Sequence, residues 1–457
     1  MQAPTSEPPA PATLRTLLTL AWPIIVSRAS QTVVGLSDTL MVAHLGAAAL
    51  ASTATGGMNA FTLLILPMGV TFIVSSFSAQ LFGRGDVAGA RRYGWYGLLV
   101  ALGTQALCVA TWPFIDDALA LLTYADEVKR LMGAYLRVRL LSGGAAIGIE
   151  ALANYYGGLG RTRPGMAANL VAMTFNVAGN WLLIDGRLGL PALGVTGAAW
   201  ASTIATSIAF AGFLAYFLQE AVPGARATPN VGEFLRMLRF GLPSGFNWLF
   251  EFSAFLFFAN VVVAGLGTAT LAAMNSVISL NSASFMPAFG LASAGAILVG
   301  QAIGAKRKDD VPGVVRLTAL TAAAWQGFVG LWCLVAPGLL IAPFATGPDG
   351  AAVAEVGARM LTISAAWQLF DAFGMTVAEA LRGAGDTVFP MAARIAIAWA
   401  LFVPGSYVSV RYLGWGDVGA TVWLVAYLAV LAAAVAFRFR AGNWRRIELV
   451  EGVAPAH

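Results

Sequence analysis

Three acidic side chains stand where the surrounding sequence is almost wholly apolar: Asp38, Glu251 and Asp371. A carboxylate near the middle of a membrane-spanning helix costs about 2.5–3.5 kcal/mol on insertion scales, so three of them cost on the order of 8–10 kcal/mol. That approaches the whole folding stability of a typical domain. Acids kept at such depth line cavities, relay protons or coordinate ions. Each has polar company at helical spacing. Asn247 precedes Glu251 by four residues and Trp367 precedes Asp371 by four, which puts each pair on one helix face. Asn275, Ser279 and Ser282 recur in the same way, as do Asn176 and Asn180. Carboxylate, amide and hydroxyl oxygens form a hard-ligand set suited to Na+, or to hydrogen bonding with an acid that switches by protonation. Na+ would sit at Glu251 and Asp371. Phe246, Trp248, Phe250, Phe252, Phe255, Phe285 and Phe289 crowd the same segments. Ring faces beside carboxylates suit flat organic cations.

The elements that must carry these residues follow from composition. The chain has 457 residues, 58% hydrophobic and only 11% charged, against about 25% charged in a soluble domain. A water-soluble enzyme, a secreted disulfide domain and a nucleic-acid binder are all excluded. Cys108 and Cys333 both lie in apolar runs, and His44 and His457 are the only histidines. Thiolate or imidazole metal chemistry therefore has almost no material, and no cofactor is expected beyond a coupling ion, Na+ or H+.

About 20 apolar residues span the hydrocarbon. Twelve segments qualify: 15–42, 49–81, 93–115, 132–156, 165–185, 195–219, 236–265, 270–302, 314–338, 357–381, 388–411 and 418–438. Nineteen of the 27 Lys and Arg residues, Arg394 among them, fall on one side of this arrangement or at its termini. The positive-inside rule then places both termini in the cytoplasm. Residues 1–12 are Pro-rich without Lys or Arg, unlike a cleaved signal peptide.

The halves repeat. LAWPIIVS at 20–27 pairs with FGLPSGFN at 240–247. HLGAAALAS at 44–52 pairs with GLGTATLAA at 265–273, and QLFGRGD at 80–86 with QAIGAKR at 301–307. GRTRPGMAA at 160–168 returns as GDTVFPMAA at 385–393. Six spans per half give parallel repeats, with an axis along the membrane normal and a cavity between bundles. The expected organisation is a disordered cytoplasmic tail 1–14, a six-helix bundle 15–219, a cytoplasmic linker 220–235 rich in Pro and Gly, a second bundle 236–438 and a cytoplasmic tail 439–457. The fold class is all-α integral membrane, twelve transmembrane helices in two pseudo-symmetric six-helix bundles.

Other charges have plainer roles. Glu379 lies near a helix end, where snorkelling to water suffices. Glu150 is deep enough to pair with Arg28, the one basic residue well inside the first span. Gly383-Ala384-Gly385-Asp386 spells the GxGD pattern of intramembrane aspartyl proteases, with Asp371 as a partner for a two-aspartate dyad. Asp386, however, falls in a loop, and its counterpart in the first half is Arg161.

The stretches VVGLSDTLMVAHLGAAALA (33–51), GLGTATLAAMNSV (265–277) and FDAFGMTVAEALRGAGDT (370–387) resemble the multidrug and toxic compound extrusion (MATE) transporters. The resemblance runs over about residues 13–440, and carrying all three acids makes the chain similar to the NorM branch. It implies a V-shaped pair of six-helix bundles exporting cationic drugs against a sodium or proton gradient. By that resemblance Glu251 and Asp371, with Asn275 nearby, belong to the cation site of the second bundle. Asp38, Asn176 and Asn180 then line a polar cavity of the first. The expectation is a multidrug efflux antiporter of the bacterial inner membrane, a monomer whose partners are small organic cations and the lipid bilayer, with no nucleic acid. The alternatives are a lipid-linked oligosaccharide flippase, which favours an Arg- and Lys-rich cavity, and the membrane protease.

Overall fold

A computed structural model describes residues 12–222, 230–345 and 350–450. Residues 1–11 of the expected tail 1–14, the middle of the linker (223–229), and the end of the chain with His457 lie outside the described residues. Helices follow the twelve spans. They are α1 (Leu14–Val42), α2 (Ala47–Gly83), α3 (Val87–Thr111), α4 in two pieces (Asp126–Arg139 and Gly143–Gly158), α5 (Arg163–Leu183) and α6 (Gly194–Gln219). The second half gives α7 (Val231–Phe257), α8 (Thr268–Gly304), α9 (Val311–Val335), α10 (Gly350–Ala384), α11 in two pieces (Val388–Ala396 and Val403–Arg411) and α12 (Gly416–Arg440). Among the described residues there is no strand.

Among the described residues, nine helical stretches are long and apolar enough to cross a membrane by themselves. The three expected spans missing from that set are α4, α5 and α10. They carry buried Glu150, buried Asn169, Asn176 and Asn180, and Gln368 with Asp371. Their polar cargo is what lowers their hydropathy.

The chain folds into two compact units, one spanning Val26–Gly245 and the other taking Phe246 onward together with the segment before Val26. Both boundaries therefore fall inside helices, just past the equivalent prolines Pro23 and Pro243. A proline deletes one helical hydrogen bond and lets the helix bend there. The start of α1 contributes Leu17, Leu20 and Ala21 to the core of the second unit. The two transfers are made alike. Gly69 of α2 has no room for a side chain because Gly245 Cα would lie 2.6 Å from its Cβ, and Gly290 of α8 is similarly closed off by Ile25. In the repeat, Gly69 is the equivalent of Gly290 and Ile25 that of Gly245.

The register between the halves slips along the first helix of each. Pro23 answers to Pro243, whereas Gly46 answers to Gly267, one position further on. The slip has a structural cause. α7 continues into a π-helical turn, Phe258–Val263, where α1 stays regular to Val42. A π turn takes in an extra residue without breaking the helix. Another, Ile397–Phe402, joins the pieces of α11. Within each unit the packing repeats: α4 lies on α2, α3 and α6, and α5 on α6, while α10 lies on α8, α9 and α12, and α11 on α12.

Three boundaries differ from expectation. The 132–156 span is interrupted by a 3-10 turn, Leu140–Ser142. The last residues of the 220–235 linker are already α7. The stretch after α12 is not a solvated tail through Val450, since Trp444 and Leu449 are buried.

The turn after α4 is tied to the end of α6, and the turn after α10 to the end of α12, with charge reversed. Arg161 pairs with Glu220 and donates to Tyr216 Oη at 2.5 Å, whereas Asp386 accepts from Arg438 Nε at 2.6 Å. Arg161 and Asp386 occupy equivalent positions, second in GRTRPGMAA and second in GDTVFPMAA. Asp386 is 3% exposed, and removing one partner of a buried pair costs about 3–5 kcal/mol. Asp386→Asn is expected at the lower end of that range, read as a fall in the unfolding midpoint of detergent-purified protein. The loop after α2 supplies a second prediction. Gly85 has φ +82, and its equivalent in the second half, Lys306, is forced to φ +61. A left-handed residue other than glycine costs roughly 1–2 kcal/mol, partly offset by the greater freedom glycine loses on folding. Lys306→Gly should raise the midpoint by about 1 °C and Gly85→Lys should lower it.

Candidate functional site

The first unit gathers its polar residues from four helices. Asp38 of α1 is 4% exposed. It accepts from Asn176 Nδ2 at 2.8 Å and Asn180 Nδ2 at 2.7 Å, both on α5, and from Ser202 Oγ of α6 at 2.5 Å. Tyr135 of α4 adjoins the same carboxylate. These donors are all neutral, and among the described residues no basic side chain forms an ion pair with Asp38. Among the described residues the buried Oδ1 of Asn180 has no hydrogen-bond partner. Asp38, Asn176 and Asn180 thus come together as the sequence predicts. Ser202 and Tyr135 join them without warning, since a serine and a tyrosine in apolar helices carry no signal in the sequence.

A second network lies N-terminal to Asp38 on α1. Arg28 grips Glu150 of α4 with two bonds of 2.9 Å, and Gln31 Nε2 donates to Glu150 Oε1 at 2.6 Å and to Asn169 Oδ1 at 3.2 Å. Arg28 and Glu150 therefore compensate each other, as expected of a structural pair.

The second unit departs from expectation at Glu251. Arg394 does not lie in a loop. It sits on α11 with its side chain 14% exposed, and its Nη1 pairs with Glu251 of α7. The expected solitary acid is thus half of an ion pair with a guanidinium. Asp371 of α10 remains. It accepts from Gln326 Nε2 of α9 at 3.0 Å. It lies within Coulombic reach of both members of the pair, and Tyr427 of α12 borders the same cluster. The three charges sum to −1.

The remaining expected lining residues spread out. Trp367 is buried in the apolar core of the second unit; it is Gln368, next along α10, that carries the polar contacts, to Ser284 and Asn281. Asn275, Ser279 and Ser282 lie on an exposed face of α8, where both hydroxyls donate to their own helix backbone. They do not join the acids. Asn247 is partly buried and its Oδ1 has no partner. The aromatic residues form a wall: Phe285 stacks on Phe289 at 5.8 Å, and Trp248 meets Phe289 edge-on at 5.8 Å. Glu379 does not snorkel; it is 8% exposed and paired with Arg382. Asp386, the loop member of the GxGD pattern, is spent on Arg438. Among the described residues no group of three or more His, Cys, Asp or Glu is placed to hold a metal.

The MatE family model matches the chain twice, over residues 23–182 and 243–408. The probable multidrug resistance protein NorM of Mesorhizobium japonicum is 30% identical over 93% of both chains. That of Thermotoga maritima is 27% identical, over 95% of this chain and 94% of its own. Solved structures agree in fold. A MOP superfamily transporter from Pyrococcus furiosus superposes with a TM-score of 0.86 at 21% identity, over 95% of this chain and 97% of that one. A eukaryotic MATE transporter gives 0.81 at 18%, over 94% and 96%. With two family matches that together cover more than half of its residues, the chain belongs to the MatE family: it is an all-α, multi-pass membrane transporter and not an enzyme.

Proposed function

We propose that this protein is a secondary antiporter of the bacterial inner membrane, both termini cytoplasmic, that exports amphipathic organic cations in exchange for Na+ or H+. The observation that carries this reading is the pair of carboxylates, Asp38 and Asp371, held by neutral donors inside helices. A carboxylate inside a helix bundle that accepts from amides and hydroxyls and forms no ion pair of its own keeps its attraction for a cation. A coupling ion and a drug cation that both need this charge exclude each other, and that exclusion makes exchange obligatory. Beside Asp38, the Oδ1 of Asn180, buried without a hydrogen-bond partner among the described residues, is a hard oxygen of the kind a small cation uses. The membrane potential supplies about 2.3 kcal/mol per charge per 100 mV. Relatives bearing the names multidrug resistance protein NorM and PmpM support the substrate class. An oligosaccharide pyrophosphate would need uncommitted arginines, yet Arg28 and Arg394 each face a glutamate.

The test is ethidium efflux from proteoliposomes energised separately by a sodium gradient and by a pH gradient. One of the two should drive wild-type efflux. Asp38→Asn and Asp371→Asn should each reduce it at least tenfold while inserting normally. Wild-type rates from both variants would overturn the proposal.

A further inference from the structure

Superposing the halves on Pro23 and Pro243 places Gln31 of α1 where α7 carries Glu251. Superposing them on GRTRPGMAA and GDTVFPMAA places Asn169 of α5 where α11 carries Arg394. The two pairs join equivalent helices, with donor and acceptor exchanged. Gln31 Nε2 donates to Asn169 Oδ1 at 3.2 Å in the first unit, and Arg394 Nη1 donates to Glu251 in the second. A neighbouring position corresponds as well. Asn169 Nδ2 donates to Ser27 Oγ at 2.8 Å, and the equivalent of Ser27 is Asn247. Asn247 Oδ1 and Arg394 Nε are both buried without a hydrogen bond.

A contact made by equivalent residues of equivalent helices, in one case between two neutral amides beside the Arg28–Glu150 pair, belongs to the fold rather than to ion binding. We propose that Glu251 and Arg394 form the charged version of a tie between the first and fifth helices of each repeat. Arg394 is then a resident cation: it holds the place beside Glu251 that a transported cation would otherwise take. Glu251 is thereby withdrawn from coupling, and cation binding in the second unit falls to Asp371 alone, one positive charge at a time. The last point rests on the cation-export reading above; the tie itself does not.

Two measurements on detergent-purified full-length protein test this. In a thermal unfolding cycle, Glu251→Gln and Arg394→Asn should each lower the midpoint by several degrees, because each leaves one charge inside the helix bundle without its partner. The double variant, which writes the Gln–Asn pair of the first unit into the second, should recover at least half of the combined loss. Losses that simply add would overturn the tie. In equilibrium binding of tetraphenylphosphonium, the double variant should stay within threefold of wild type while Asp371→Asn weakens binding at least tenfold. A tenfold loss in the double variant would make Glu251 a cation ligand and overturn the resident-cation assignment. If wild type fails to bind the probe, the export reading falls, and the unfolding cycle still decides the tie.

Discussion

A charge inside a low-dielectric interior has to be compensated, and in this protein the kind of compensation sorts the acids within the spans into two groups. Glu150 and Glu251 are compensated by guanidinium groups supplied by the chain itself, Arg28 and Arg394. Asp38 and Asp371 form no ion pair among the described residues and accept instead from Asn176, Asn180, Ser202 and Gln326. An ion pair is satisfied from within and has little to gain from a visiting cation. A carboxylate surrounded by amide and hydroxyl donors keeps its net charge, and in a membrane that charge is the property a transporter can use. Of these four acids, each unit has one of each kind.

The units reach this state by different routes on one plan. The equivalents of Asp38 in the second half are Phe258 or Ala259, at the start of the π turn, so the first unit's polar cluster has no copy there. Asp371 in turn matches Ala146 of the first half. Helix packing and the exchange at Pro23 and Pro243 are kept, as are the close approaches at Gly69 and Gly290; the placement of charge is not. Duplication preserved the frame, whose close packing tolerates little change. It left the polar residues free to diverge. The reversed ties at Arg161 and Asp386 make the same point: a bond at that turn is needed, and either sign supplies it.

Much of this is legible in the sequence. Long apolar runs bounded by Gly, Pro and charge mark spans, and their number and repetition follow from local pattern. Asp38 with Asn176 and Asn180 is legible because carboxylates and amides stand out in apolar helices and share a face. Arg394 is hidden for a specific reason. It lies in the first piece of α11, near a basic loop, and only the tertiary fold brings it to Glu251 of α7, far away along the chain. Spacing along one helix does not report a partner on another. Trp367 and Gln368 show the complementary limit. They are adjacent on α10 and both buried, yet one fills the apolar core and the other the polar network, a difference set by neighbouring helices. Asn275 and Ser279 are suitable by type, but their helix face is not the one that meets the acids.

What remains to be measured directly is mutual exclusion. Tetraphenylphosphonium affinity of the purified wild-type protein should be titrated against Na+ at fixed pH, and against pH at fixed Na+. If neutral-solvated carboxylates serve both ions, affinity falls in proportion to occupancy by the coupling ion in one of the two series. Affinity that stays constant across both series would contradict the account.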